Sequence, residues 1–246
     1  MDTINMETLK IGEQPLHAIL YGLAGCGKTE FTKELPKPML VIEADNKYEP
    51  LIGTPGIEVV SMLMTKNEDA KTLIPKLWNT WQSAKKDPKW ASIVFDSITA
   101  VDRMLERYAV IMCGKGKQPG DRATLQEYGD MKRWYRTFFP SLRTAVDKNV
   151  IVIAHEQDKR DKDGDILSIR PFITGKIGDE LSSIFQHTFH LEHIVGSNEK
   201  WRLHYAKHGR FICASSVFSG GKGYIEYGRG EGGYLKLVEE MEKLKR

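Results

Sequence analysis

The segment GLAGCGKT, residues 22–29, limits the possible folds more than any other part of the chain. It has the form G-x-x-x-x-G-K-[ST] and lies between an apolar stretch, PLHAILY, and a segment with helical spacing. Glycines let backbone N–H groups turn inward around phosphate oxygens, and the helix that follows directs the positive end of its dipole to the same place. A strand, a loop and a helix in this order predict a phosphate-binding loop of an α/β fold, with a plain glycine-rich turn as the alternative.

The side chains of this loop predict how a nucleotide is held. Lys28 is expected to reach the β- and γ-phosphates, and the Thr29 hydroxyl to ligate Mg²⁺. Asp96 ends the apolar stretch SIVF and places a carboxylate beside the same ion, although a helix N-cap is its alternative role. The predicted cofactors are therefore ATP and Mg²⁺. The expected ATP-binding residues are Gly22, Gly25, Cys26, Gly27, Lys28, Thr29 and Glu30, and the expected metal ligands are Thr29 and Asp96.

Composition limits the class of protein. The chain has 246 residues, of which 41% are hydrophobic, and this suits one domain over residues 1–246. No run approaches ~20 apolar residues, so no membrane association is expected. The N-terminal segment lacks the features of a signal peptide and the three cysteines lie far apart, which favours the cytoplasm. A net charge of +3 is too small to indicate nucleic-acid binding by itself.

Strand and helix patterns alternate along most of the chain. Strands are predicted near residues 15–21, 39–42, 57–60, 92–95 and 149–154. Helices are predicted near residues 28–35, 67–86, 97–112, 125–147 and 176–184. After about residue 185, alternating segments near 187–195, 200–206 and 210–214 indicate antiparallel strands, and a last helix covers about 234–245. The expected fold is a mostly parallel sheet with helices on both faces and antiparallel strands at one edge.

The group that activates water must lie outside the Asp96 strand, because Ser97 stands where many ATPase motors carry glutamate. The second predicted strand runs into Glu43, Ala44 and Asp45. At this point the sequence resembles the RecA-like ATPases, which carry a general base just after the strand that follows the phosphate-loop helix. The pattern of that family is Asp-x-Glu, whereas here the order is reversed. Asp45 therefore matches the position of the base, and Glu43 stays a second candidate.

The strand NVIVIA ends at His155, where RecA-like proteins place a polar sensor of the γ-phosphate. An imidazole N–H can donate to such an oxygen. Together with EYG at 127–129, AHE at 154–156 and RPFITGK at 170–176, the order resembles the compact, core-only RecA-like proteins of phage recombination over about residues 15–195. Residues 196–246 would form the antiparallel tail and terminal helix.

This resemblance implies several partners. It implies a homo-oligomeric ring or filament with ATP between subunits, single-stranded DNA as a ligand, a single-strand-binding or replication protein as a further partner, and the host cytoplasm if the chain is encoded by a phage. Two loops would face the DNA: residues 113–124, and residues 156–175, which are nearly neutral because carboxylates balance their cations. The candidate DNA contacts are Lys115, Lys117, Arg122, Lys159, Arg160 and Arg170. Lys207 and Arg210 are candidates for a cation that reaches the ATP of a neighbouring subunit.

Other interpretations stay open at this point. Solvated loops and ordinary strand-edge charges are the alternatives for the DNA loops and for the cations of the tail. An ATP-dependent switch or loader that acts on a replication protein would need the same nucleotide site. A small-molecule kinase would also need it, but the loop 113–124 is glycine-rich and arginine-poor, unlike a kinase lid. Strand alternation makes His190 face away from His187 and His193, so we expect no zinc site from these three.

Overall fold

The computed structural model of the protein describes residues 14–113, 117–118, 120–175, 177–196, 199–216, 218 and 222–243. The strands are β1 (His17–Gly22), β2 (Met39–Glu43), β3 (Ile57–Ser61), β4 (Ser92–Asp96), β5 (Asn149–Arg160), β6 (Ile166–Pro171), β7 (His187–Ile194), β8 (Lys200–His204), β9 (Ala214–Ser215) and β10 (Tyr224–Gly228). The helices are α1 (Lys28–Thr32), α2 (Ala70–Ala84), α3 (Ile98–Cys113), α4 (Leu125–Leu142), α5 (Ile177–Ile184) and α6 (Gly233–Lys243). Short 3₁₀ turns cover Glu49–Leu51 and Asn67–Asp69.

In the described part of the chain, these strands form one sheet with the order β10-β8-β7-β1-β5-β4-β2-β3. The neighbours from β7 to β3 are all parallel, and β8 and β10 add two antiparallel strands at one edge. β6 pairs with the distal half of β5, and β9 pairs with the start of β7. The expected fold class, a mostly parallel α/β sheet with an antiparallel edge, is confirmed.

Apolar cores lie on both faces of the sheet. Alternate side chains of β1 illustrate this division, because Ile19 and Tyr21 belong to one core and Ala18 and Leu20 to the other. The first core is closed by α2, α3, α4 and α5, and the second by α1 and α6. Strands that are buried on both faces explain the continuous apolar runs in the sequence.

Two helices end earlier than their patterns predict. α1 ends at Thr32 instead of Leu35, and the next residues form turns in which each N–H bonds a carbonyl three residues back. Pro36 follows directly, and the residue before a proline is disfavoured in the helical conformation. α4 ends at Leu142, two residues after Pro140, which contributes no N–H to the last turn. No helix within the described residues is both long and apolar enough to cross a bilayer.

The clearest differences from the sequence-based expectation concern strands. The charged run 156–165, expected as a loop, contains the distal half of β5 and a turn, and β6 pairs with it to form a hairpin. β7, expected in an antiparallel set, is parallel to β1 on one side and antiparallel to β8 on the other. β10 falls in a glycine-rich stretch for which no strand is predicted.

Candidate functional site

The phosphate-binding loop opens at the carboxyl edge of the parallel strands. Gly22, the last residue of β1, is paired with His155 of β5. Glu43, the last residue of β2, is paired with Asp96, the last residue of β4. The register of the sheet therefore brings the loop and three of the predicted catalytic and metal-binding side chains to one edge, where open α/β sheets bind their ligands.

Two glycines of the loop are required by its geometry. Gly27 has φ of 93°, and a Cβ there would lie 2.6 Å from Nε1 of Trp201. At Gly22 a Cβ would lie 2.3 Å from the carbonyl oxygen of Leu191 on β7. A larger residue at either position would displace the loop from the strands behind it, so these glycines fix where the backbone N–H groups stand.

Lys28 lies inside the loop. Its side chain is buried, and its ammonium group donates to the carbonyl oxygens of Gly22 at 3.0 Å and Leu23 at 2.6 Å. The Sγ atom of Cys26, also buried, lies 3.7 Å from the same nitrogen. Phosphate oxygens carry more negative charge than carbonyl oxygens and are stronger partners for an ammonium group. The position of Lys28 therefore suits a phosphate bound in the loop.

Thr29 and Asp96 form the metal-binding half of the site. The Thr29 hydroxyl donates to Oδ2 of Asp96 at 2.7 Å. Burial raises the pKa of Asp96 to about 6, and the neighbouring carboxylates of Asp45 and Glu43 act in the same direction. A hydroxyl and a carboxylate within hydrogen-bond distance supply the oxygen ligands that Mg²⁺ prefers. A cation bound here would also offset the cost of a buried negative charge, so the residues present fit Mg²⁺.

Asp45 lies beside the predicted sensor. Its Oδ2 atom is 3.4 Å from Nε2 of His155. Burial alone would raise the pKa of Asp45, but hydrogen bonds from His155 and Ser97 outweigh it, and the pKa is lowered. Asp45 is therefore a carboxylate at neutral pH. The backbone N–H of His155 donates to Oγ1 of Thr99 at 3.0 Å, which fixes the start of the hairpin against α3.

Glu43 is held differently. Its side chain is buried, Oε1 accepts the backbone N–H of Lys47 at 2.9 Å, and Oε2 has no hydrogen-bond partner among the described residues. Burial raises the pKa of Glu43. An oriented, ionised base is thus better matched by Asp45 than by Glu43.

An aromatic cavity next to the loop has no signal in the sequence. It has a volume of about 410 Å³ and lies against Gly27, Phe31, Trp201 and Tyr227. The rings of Trp201 and Tyr227 are stacked, with centroids 5.9 Å apart and planes at 19°. Glu30, predicted as a nucleotide contact, lies at the rim, where it is exposed. Trp201 and Tyr227 lie on β8 and β10, far from the loop in sequence, so only the pairing of the strands creates the cavity.

Cations of the first predicted DNA loop are only partly described. Lys115 lies outside the described residues. The ammonium group of Lys117 lies 2.5 Å from Oε2 of Glu127 and donates to the carbonyl oxygen of Arg122 at 2.9 Å. Lys117 would have to give up this ion pair to contact a DNA phosphate. Arg122 is exposed. The ion pair ties this loop to the first turn of α4.

The second predicted DNA loop is the β5–β6 hairpin. Lys159 and Arg160 are exposed near the end of β5. Arg160 donates to the carbonyl oxygen of Gly164 at 2.9 Å and to Asp158 at 2.7 Å, contacts that order the tip of the hairpin. Arg170 lies on β6 and is half-buried, so it belongs to the base of the hairpin rather than to its tip.

Lys207 and Arg210 lie in the turn that follows β8. Both are exposed. The carbonyl oxygen of Arg210 accepts the backbone N–H of Ile169 at 2.8 Å, so this turn rests on the hairpin. In the sheet, β7 lies between β8, which precedes this turn, and β1, which runs into the phosphate loop. Both side chains are exposed on the surface of the chain.

Comparison with known proteins agrees with this site. No curated protein matches the chain. A family model described as an AAA domain matches residues 14–212, which span the phosphate-binding loop, Asp96, His155 and the hairpin. The match covers well over half of the sequence, and the fold and the loop have the form that P-loop ATPases require. The chain therefore belongs to the AAA domain family of P-loop ATPases.

Proposed function

We propose that this ATPase couples ATP hydrolysis to single-stranded DNA and promotes annealing or strand exchange in phage-type recombination. The observation that carries the proposal is the course of β5. His155 lies at the phosphate edge of this strand, and the same strand continues to Lys159 and Arg160 near the tip of a hairpin, with a register shift between these two residues. A group that senses the γ-phosphate and the cations that would meet DNA therefore belong to one element.

The loop residues hold ATP and Mg²⁺. Backbone N–H groups of the loop and the start of α1 surround the β- and γ-phosphates, and Lys28 exchanges its carbonyl partners for phosphate oxygens. Thr29 and Asp96 hold the ion. An ion held there would supply positive charge against the phosphate oxygens. The stacked rings of Trp201 and Tyr227 beside Gly27 support placement of the base in the aromatic cavity.

Asp45 orients the attacking water and His155 reports on the γ-phosphate. Asp45 is ionised and lies 3.4 Å from the imidazole of His155. Movement of either side chain would therefore change the contact between the two. Exposure of Lys207 and Arg210 in one turn supports a role in completing the site of a neighbouring subunit in a ring or filament.

DNA binding by the hairpin is tested with a fluorescently labelled oligothymidine and fluorescence anisotropy over a range of salt concentrations. The double variant Lys159→Ala and Arg160→Ala should bind more weakly. The slope of log binding constant against log salt concentration should become shallower by about 1.4, because each phosphate contact with a single strand contributes about 0.7. Lys86→Ala is the matched control, because Lys86 is exposed after α2, before β4 begins, at the opposite end of the sheet.

Annealing of complementary oligonucleotides, followed by energy transfer between two dyes, tests the second half of the proposal. The protein with a non-hydrolysable ATP analogue should accelerate annealing, and the double variant should lose most of that effect. Absence of DNA binding at low salt, or equal binding by the double variant and the wild type, would rule out the hairpin as the DNA contact. ATP turnover that responds to a replication protein and not to DNA would favour the switch or loader.

A further inference from the structure

The antiparallel edge of the sheet brings together two imidazoles and two carboxylates that the phosphate site does not use. His190 on β7 is the direct cross-strand partner of His204 on β8. Glu192, two residues further along β7, lies on the same face, as strand alternation requires. One ligand atom from each of these three residues lies within 4.8 Å of the others. Glu156 of β5 reaches the same cluster, with Oε2 3.0 Å from Nε2 of His190.

We propose that His190, Glu192, His204 and Glu156 form a binding site for Zn²⁺ or a similar transition-metal dication. The sequence excludes convergence of His187, His190 and His193, but it does not show the cross-strand partner of His190. That partner, His204, is fourteen residues away and is brought close only by the pairing of β7 with β8.

Two of the distances between candidate ligand atoms are close to those around a four-coordinate ion. In a tetrahedral site with ligand bonds of about 2.1 Å, neighbouring ligand atoms are about 3.4 Å apart. Nε2 of His190 is 3.0 Å from Oε2 of Glu156, and Nε2 of His204 is 3.1 Å from Oε1 of Glu192. The ligand atoms of His190, Glu192 and His204 lie within 4.8 Å of one another, so these side chains would draw together by up to about 1.4 Å around the ion. Imidazole nitrogens with carboxylate oxygens favour zinc and its neighbours over Mg²⁺ or Ca²⁺, which take oxygen ligands.

The rings that would bind the ion are already held in place. His190 packs between Tyr21 and Phe211, with ring centroids 4.9 and 3.9 Å away. His204 stacks on His208 at 4.5 Å. His190 and His204 are buried, so little side-chain freedom remains to be lost when the ion binds.

Charge and access also suit a cation. Two carboxylates face the two imidazoles, and Arg202, the nearest cation on β8, donates through Nε to Glu226 at 2.9 Å. Arg202 also lies 3.4 Å from Oε1 of Glu192, a weaker contact that an ion would replace. Glu192 is 31% exposed, which leaves a route from solvent to the site.

Such an ion would join three strands, because its ligands come from β5, β7 and β8. Glu156 directly follows His155, so the ion would fix the antiparallel edge to the strand that leaves the phosphate site. The proposal stands on the cluster alone and does not depend on DNA binding or on ATP hydrolysis.

The test uses tag-free, nucleotide-free protein that has been treated with a chelator and dialysed. Titration with Co²⁺ should give one equivalent of visible absorption typical of four-coordinate cobalt, and Zn²⁺ should displace it. Free Zn²⁺ at about 100 times its Kd should raise Tm by roughly 5 °C or more.

His204→Gln should weaken metal binding about 100-fold or more, since even changes outside the ligand set cost 10–100-fold. Glu192→Gln, at a more exposed position, should weaken it at least about 10-fold and keeps the test valid if the histidine variant does not fold. His193→Gln, on the same strand but the opposite face, is the matched control and should bind normally. No cobalt absorption and no change in Tm, full binding by His204→Gln and Glu192→Gln, or equal loss in His193→Gln would each overturn the proposal.

Discussion

Glu43 ends β2 and Asp45 follows two residues later, but their surroundings shift the two pKa values in opposite directions. Hydrogen bonds from His155 and Ser97 lower the pKa of Asp45 against the effect of burial, whereas burial raises the pKa of Glu43. A general base must be ionised before it can orient and deprotonate water. The directions of the two pKa shifts favour Asp45 over Glu43 as the base, a choice that spacing alone leaves open.

Replacement of these carboxylates should affect hydrolysis and binding differently. Asp45→Asn should lower ATP turnover by about 100-fold or more and leave nucleotide affinity within a few-fold, because it removes the base and keeps the phosphate contacts. Glu43→Gln is the matched control and should retain most of the turnover. Steady-state turnover and equilibrium binding of a fluorescent ATP analogue measure the two effects. A larger loss in Glu43→Gln than in Asp45→Asn would reverse the assignment.

His187 should make stability depend on pH. Burial lowers its pKa from 6.5 to about 4, and Nδ1 is 2.7 Å from the Ser215 hydroxyl. Between pH 6.5 and pH 4 the unfolded chain binds a proton at this histidine that the folded chain does not. The free energy of unfolding therefore decreases as the pH falls through this range. The free energy of unfolding should decrease by roughly 3 kcal/mol between pH 6.5 and pH 4.

Urea denaturation across this pH range measures the effect. His187→Gln should flatten the dependence of the free energy of unfolding on pH. Equal pH dependence in wild type and His187→Gln would mean that other groups cause it.

At the scale of elements, the loop before α4 is held by one buried carboxylate. Oε2 of Glu127 accepts the backbone N–H of Thr124 at 2.5 Å and its hydroxyl at 3.1 Å, and it also pairs with Lys117. This is a capping arrangement that fixes the N-terminus of the helix. The same contact fixes a residue of the first predicted DNA loop to the helix.

Thr124→Ala should lower the free energy of unfolding by about 1 kcal/mol, as is usual for a lost N-cap side chain. Thr124→Ser should restore most of it, because the hydroxyl remains. Chemical denaturation, read as the midpoint at constant slope, is the measurement. No difference between the alanine and serine variants would show that the hydroxyl does not stabilise the helix.

The sequence predicts elements well where the pattern is local. The buried strands β1, β2, β4 and the start of β5 are continuous apolar runs, and their helices begin close to the predicted positions. β6 and the end of β5 could not be predicted, since their charged side chains are exposed and only pairing defines them as strands. β10 is obscured by the glycines around it.

At the scale of the whole molecule, the pairing of strands that are far apart in sequence brings together side chains whose proximity residue spacing does not show. The phosphate loop, Asp96 and His155 were predictable because strand ends of a parallel sheet meet at one edge. The aromatic cavity beside Gly27 requires β8 to lie next to β7 and β10 next to β8, and no local signal specifies that order.

A shared site between subunits predicts complementation. Lys28→Ala removes the phosphate contact in its own subunit, and Arg210→Ala would remove the contribution to a neighbour. An equal mixture of the two inactive variants should regain about one quarter of wild-type ATP turnover, since about one interface in four combines both intact residues. Lys86→Ala, an exposed cation at the opposite end of the sheet, is the control and should keep the turnover of the wild type. No recovery in the mixture of Lys28→Ala and Arg210→Ala, or full activity of Arg210→Ala alone, would place the site within one chain.

The most direct test of the whole account is ATP turnover with and without single-stranded DNA, in the wild type and in Lys28→Ala. Coupling of the phosphate site to the hairpin predicts that DNA raises the turnover of the wild type and that Lys28→Ala has no turnover under either condition. Turnover that requires Lys28 but ignores DNA, with no DNA binding at low salt, would contradict the coupling and leave an ATPase whose partner is something else.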